Sequence, residues 1–225
     1  MNGERVKIVD RYGKPMEASD TAYFAASRKE RELAQWRPAL ESADLELMGE
    51  ASTIAARSYD LERNHGVAAG AVRTHIDNIV GTGLRLAAKP DYRVLGRDKG
   101  WADAWARATE AQWRTFADVP EFDAARQLSF GGTTVLQMRS AMLAGDGLAL
   151  ALWLPDRSGA RWSTAIQSID PARLCNPQWG MSNLHLREGV EINDFGEPIA
   201  YWIRKTHPSE TALLGGSDAF VRIPA

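Results

Sequence analysis

The stretch Ile54-Ala-Ala-Arg-Ser-Tyr-Asp-Leu-Glu-Arg-Asn-His-Gly-Val-Ala-Ala-Gly-Ala-Val-Arg-Thr-His-Ile-Asp-Asn-Ile-Val-Gly-Thr-Gly-Leu84 reads as two helices joined by a short turn and stopped by glycines. Leu47 and Ala51, just upstream, join Ile54, Ser58 and Leu61 in a recurrence at three- and four-residue steps, and Ala68, Val72, Ile76, Ile79 and Val80 repeat it in the second half. Each half therefore predicts one buried face. Asn64 and Gly66 sit at the break, where either suits the left-handed backbone that ends a helix, and Asn64 equally suits the cap of the next one. A helix ending Val-Gly-Thr-Gly needs a positive φ at Gly81 or Gly83, after which residues 84–87 leave as an extended segment.

Outward from this hairpin the pattern is helical first and strand-like later. Upstream, residues 1–19 carry a short apolar stretch at 6–9 and the turn chemistry of Tyr12-Gly-Lys-Pro15, as expected of an N-terminal arm. Residues 21–36 place Tyr23, Phe24, Leu33 and Trp36 among charges, a helix that docking would order, ended by Pro38. Asp44 is a candidate N-cap, with Glu46 in the favourable first turn. Downstream, a polar link over 89–100 precedes a third helix over 101–116, with Trp101, Trp105, Ala108, Gln112 and Phe116 along one face. A fourth helix starts at Thr133 or Thr134 and stops at Gly145-Asp-Gly147.

Residues 148–154 and 162–169 then read as a strand hairpin closed by Pro155-Asp-Arg-Ser-Gly159, and Asp170-Pro171 breaks the second strand. Residues 188–193 and 199–205 flank Asp194-Phe-Gly-Glu-Pro198, whose glycine supplies the special backbone angle of a hairpin loop, and 220–223 form a last strand. The expected fold class is α+β: a helical region, the hairpin plus two further helices, packed on an antiparallel sheet.

At 225 residues, 44% hydrophobic and 25% charged, the chain has the composition of a globular protein. No apolar run approaches the roughly 20 residues that span a bilayer, and the charged start lacks the apolar core of a secretory signal, so a cytoplasmic compartment is expected. Cys175 has no partner for a disulfide, and His65, His75, His185 and His207 show no metal-ligand spacing. The net charge of -2 carries neither a basic excess nor a basic stripe, which argues against a firm grip on DNA phosphates.

Catalytic chemistry finds little support. Cys175 in Leu-Cys-Asn-Pro reads as a small residue near a strand end rather than a nucleophile served by His185. Asp170, Glu188, Glu191 and Asp194 fall where surface turns fall, and no spacing links them to a metal or a reacting bond. Gly131-Gly-Thr-Thr134 lacks the lysine of a P-loop and reads as a loop and helix cap. The tryptophans of the third helix, with Trp113 beside them, are a candidate platform for bases, but Arg107 and Arg114 are too few to prefer that over packing. Arg57 and Asp60 are spaced for a local ion pair of about 0.2–0.5 kcal/mol.

The run Arg57, Asp60, Leu61, Arg63, Asn64, followed after a helix by Asp77, Asn78, Val80, Gly81, Thr82 and Gly83, resembles the signature of the lambda-type portal proteins of tailed bacteriophages. Upstream, Tyr23, Ala25, Ala26, Arg31, Trp36, Pro38, Ser42, Ala43 and Asp44 follow that family's opening pattern. Downstream, Gly189-Val-Glu-Ile-Asn-Asp-Phe-Gly-Glu-Pro-Ile-Ala-Tyr201 resembles its hairpin. The resemblance implies an arm over 1–41 and a wing-like α+β domain over 42–225 that ends before the family's stem and clip. It implies a non-enzymatic, cofactor-free subunit of a homo-oligomeric ring of about twelve copies at a capsid vertex of the virion, assembled in the host cytoplasm. Terminase, the major capsid protein and the head-tail connector would be its partners, with double-stranded DNA passing through, weakly contacted, and no membrane. Arg57, Asp60, Leu61, Arg63, Asn64, Asp77, Asn78, Gly81 and Gly83 would be structural motif positions. The competing reading is an enzyme or nucleic-acid-binding module that shares only helix punctuation with portals.

Overall fold

The computed structural model describes residues 9–15, 31–177, 183–210 and 219–225. The expectations for Tyr23, Phe24, Ala25 and Ala26 lie outside these residues, as does most of the apolar stretch at 6–9. The chain divides into two compact units, Met1–Glu46 and Leu47–Ala225. In the first, the turn at Tyr12-Gly-Lys-Pro15 forms as expected: Val9 bridges to Pro15, Gly13 has φ 77° and Asp10 accepts from the amides of Tyr12 and Lys14. Residues 31–35 are turns rather than the expected helix, and Trp36 is 69% exposed.

Among the described residues five α-helices follow: α1 (Ala43–Leu47), α2 (Ala51–Asn64), α3 (Gly66–Ile79), α4 (Lys99–Ala117) and α5 (Phe130–Ala144). The cap of α1 is Ser42, whose Oγ accepts from the Leu45 amide, while Asp44 lies inside the first turn. Gly49 at φ 82° then separates α1 from α2, so the expected run into the hairpin is broken. Between α2 and α3 one residue changes direction. His65 takes an extended conformation (φ −124°, ψ 109°), so neither Asn64 nor Gly66 supplies a left-handed break.

The faces differ from the expected stripes. On α4 the buried residues are Ala102 and Ala117, with Trp113 and Phe116 half-buried, while Ala108 and Gln112 face solvent. Trp113 therefore belongs to the packed side. It meets Phe130 of α5 edge-on at 5.3 Å, and Phe116 and Phe122 extend the cluster to Trp162 and Phe130. Edge-to-face rings of this kind add about 0.5–1.5 kcal/mol per pair beyond area burial.

Helix α5 begins at Phe130, earlier than the expected Thr133. Ser129 Oγ accepts from the Gly132 amide, and Gly131 and Gly132 form the first helical turn. A methyl group on Gly132 would stand 3.2 Å from Leu128 Cδ2, so the close approach of the chain explains a glycine there better than a loop does. Gly145 at φ 88° ends the helix as expected.

Among the described residues the strands make two sheets where one was expected. In the first, β1 (Leu148–Trp153) pairs antiparallel with β2 (Thr164–Ile169), Leu148 opposite Ile169 and Trp153 opposite Thr164. Leu148, Leu150 and Leu152 turn inward while Ala149, Ala151 and Trp153 face out, so the continuous apolar run of β1 hides a period of two. The second sheet has the order β3-β4-β5-β6, with β3 (Leu186–Arg187), β4 (Val190–Ile192), β5 (Pro198–Arg204) and β6 (Phe220–Pro224). Strand β3 is too short for any periodicity to announce it. Gly196 at φ 82° forms the β4–β5 loop as its sequence requires.

Gly189, at φ 86° beside Glu188 at φ 46°, turns β3 into β4. Its amide donates to Asn176 Oδ1 at 2.7 Å, and a Cβ there would stand 2.6 Å from the Cys175 nitrogen. The core is formed by small and medium residues: Ala165 and Ala200 are fully buried, with Val72, Val80, Phe122, Leu143, Ile169 and Ile203 nearly so.

Candidate functional site

At 100° per residue, Arg57, Asp60, Leu61 and Asn64 fall within an arc of about 100° on α2, and all four are exposed. The half-buried residues Ala55, Ser58, Tyr59 and Glu62 form a second arc whose centre lies about 160° away. The signature residues of α2 thus occupy the side opposite the one that packs within the chain. Ile54 and Leu61, expected in the core, remain 48% and 54% exposed.

The packed side is fixed by one residue that the apolar pattern does not mark. Arg139 of α5 donates from Nε and Nη2 to the two carboxylate oxygens of Glu62, at 3.0 and 2.7 Å, and stands 5.9 Å from the Tyr59 ring. This fork-to-fork geometry holds the Glu62 carboxyl below its ordinary pKa, chiefly through the Arg139 hydrogen bonds. Packing of α5 against α2 and α3 completes a three-helix group.

The remaining signature residues satisfy themselves locally. The expected Arg57–Asp60 ion pair does not form; Asp60 accepts from Asn64 Nδ2 at 2.6 Å instead. Asn78 donates to the Thr74 carbonyl, and Asp77 approaches Arg73 at 3.7 Å with both side chains largely exposed. Arg57 and Arg63 have no ion pair among the described residues. At the end of α3, Gly81 (φ 53°) and Gly83 (φ 99°) both take positive φ, where one was expected. The Gly81 amide reaches back to the Ile76 carbonyl and that of Gly83 to Val80.

Beyond these glycines a cleft of about 640 Å³ opens, lined by Thr82 to Leu86 on one side and by Glu110, Trp113, Arg114, Asp118 and the start of α5 on the other. Glu110 accepts from the Ala88 amide at 3.0 Å, fastening the irregular connection after α3 to α4.

The groups weighed for catalysis are apart or engaged. The Cys175 thiol is half-buried with its pKa raised by desolvation, and His185 faces Asp194 at 3.8 Å rather than the cysteine. Asp170 accepts from the Ala172 amide, and Glu191 from Trp202 Nε1 and, bidentately, from Arg222. Among the described residues no group of three or more His, Cys, Asp or Glu side chains is placed to hold a metal ion.

Residues 29–225 match the family model described as phage portal protein, lambda family. Over 177 residues the chain is 36% identical to portal protein B of Escherichia phage lambda, covering 76% of this chain and 32% of that protein. It is 36% identical over 206 residues to the portal protein of Escherichia phage N15 (85% and 38% covered), and 26% identical over 210 residues to the probable portal protein of Halomonas phage phiHAP-1 (91% and 39%). The aligned part of the chain thus spans 32–39% of the length of these relatives.

Proposed function

Because the chain belongs to the lambda family of phage portal proteins, we propose that it forms the wing-like part of a portal subunit, one of about twelve copies in a ring at a capsid vertex. The ring is a conduit for double-stranded DNA in packaging and ejection, and a docking point for terminase, the major capsid protein and the head-tail connector. The role is structural, in the virion and, during assembly, in the host cytoplasm. A match that runs through residues 29–225 is more than shared helix punctuation, and it is the observation that carries this reading.

The division of α2 into two faces supports a contact role for the signature residues. A closed ring is built from head-to-tail contacts, in which one patch of a subunit meets a different patch of its neighbour. Arg57, Asp60, Leu61 and Asn64 form an exposed patch that takes no part in the packed side of α2. Arg63 flanks it, while Asp77, Asn78, Gly81 and Gly83 lie at the C-terminal end of α3.

Size-exclusion chromatography with light scattering on the complete protein is the test. A discrete ring of about twelve subunits is expected, with Leu61→Arg reducing it to smaller species while circular dichroism stays unchanged. A complete protein that remains monomeric, or that turns over ATP with loss on changing one polar residue, would overturn the proposal.

A further inference from the structure

The net charge of -2 conceals an uneven distribution. Residues 85–99 hold five of the chain's 27 basic residues, Arg85, Lys89, Arg93, Arg97 and Lys99, and only two of its 29 acidic ones, Asp91 and Asp98. The absence of a basic stripe, true of the chain as a whole, fails for this segment. All five cations are exposed, and none forms an ion pair among the described residues.

The two carboxylates are turned to the backbone. Asp91 Oδ1 accepts from the amides of Arg93 and Val94 and so shapes the turn, and Asp98 Oδ1 accepts from the Trp101 amide as the cap of α4. The turn is closed by the Arg97 amide donating to the Tyr92 carbonyl at 2.7 Å, which holds Arg93 and Arg97 on one compact knuckle. Their guanidinium carbons stand 5.8 and 5.7 Å from the rings of Tyr92 and Trp101. A guanidinium supported on a ring face keeps its in-plane N–H groups free for an oxygen ligand. Arg85 and Arg114 continue the basic surface into the adjoining cleft, which also holds Glu110, bonded to the Ala88 amide, and Asp118.

We propose that residues 85–99 are a contact surface for the phosphodiester backbone of duplex DNA. Exposed cations without carboxylate partners, several presenting planar donor edges, match a regular array of phosphates and carry no means of reading bases. The choice of duplex DNA over another polyanion rests on the reading of the protein as a DNA conduit. Contacts of this kind slide, because each phosphate is replaced by an equivalent one.

The test is a fluorescence-anisotropy titration of a labelled duplex with the 225-residue chain across a series of salt concentrations, with heparin as a second polyanion. Binding in the range of about 10⁻⁴ to 10⁻⁶ M is expected, independent of sequence, with log K falling linearly with log salt. The triple variant Arg85→Gln, Arg93→Gln, Arg97→Gln should reduce the slope by about 0.9 for each phosphate that it no longer neutralises, and the corresponding Arg→Lys variant should restore most of it. A slope unchanged in the Gln variant with its circular dichroism intact, or binding to heparin without binding to DNA, would overturn the proposal. Failure here with ring formation intact strikes only this surface, whereas a monomeric complete protein strikes the portal reading and leaves the titration standing.

Discussion

The α2–α3 hairpin and the four-stranded sheet hold themselves together by different means. In the hairpin the repeat is regular, yet α2 contains no buried residue, and its position against α5 depends on the Glu62–Arg139 fork. In the sheet the repeat is poor and β3 has two residues, yet Ala200 and Gly189 are buried and the chain closes backbone against backbone at Gly189. A regular helix needs little from its surroundings to keep its shape, because its hydrogen bonds are internal. A short strand has no shape of its own, so its position must be set by contacts that leave no slack.

This contrast ranks the effects of substitution. Gly189→Ala should produce the largest loss, about 3 kcal/mol or more, because positive φ and a backbone atom 2.6 Å from the new carbon act together. Gly83→Ala, with φ 99° but open space around it, should cost about 1–2 kcal/mol. Urea midpoints on the two variants compare them directly, and equal shifts would dissolve the distinction between strain and clash.

Glu62→Gln should come next, at about 1 kcal/mol near neutral pH, since the pair is partly exposed. The folded protein holds this carboxyl below its unfolded pKa, so the stability it adds is full above about pH 4–5 and is lost as pH falls through the folded value. The gap between wild type and variant should therefore close in acid, and a gap independent of pH would assign the effect to packing. Leu61→Ser should shift the same midpoint by less than about 0.5 kcal/mol, because more than half of the residue is already exposed. A larger loss would mean that the outer face of α2 is covered within the chain.

Much of this architecture is legible in the residues alone. The two helices of the hairpin, the pairing of β1 with β2, the turn glycines at 145 and 196, and one positive φ at 81 or 83 follow from periodicity and turn chemistry. The orientation of α2 does not, because its candidate stripe mixes Ala51 and Ser58 with two large apolar residues, and a charged pair to α5 chooses between the faces. Similarly, Ala102 and Ala117 with Trp113, rather than Trp101 and Trp105, mark the packed side of α4, and small residues give a weak signal. The break falls between Asn64 and Gly66, where their turn chemistry puts it, but the extended backbone of His65 that forms it carries no signal of its own. The division of the strands into two sheets depends on where the chain goes after Pro171, which local pattern cannot tell. Of the candidate site, the sequence offers the candidate residues, and their exposure appears only in the fold. The basic segment is hidden when charge is summed over the whole chain.

The opposed faces of α2 have a consequence for genetics. A lesion at Glu62 removes a partner from Arg139, so compensating changes should arise nearby on α5 of the same polypeptide. A lesion at Leu61 or Arg57 leaves the isolated fold untouched, and any change that rescues it must lie on whatever surface meets that face. Collections of second-site revertants would therefore separate into an intragenic class that maps the inside of this domain and a class that maps its neighbours.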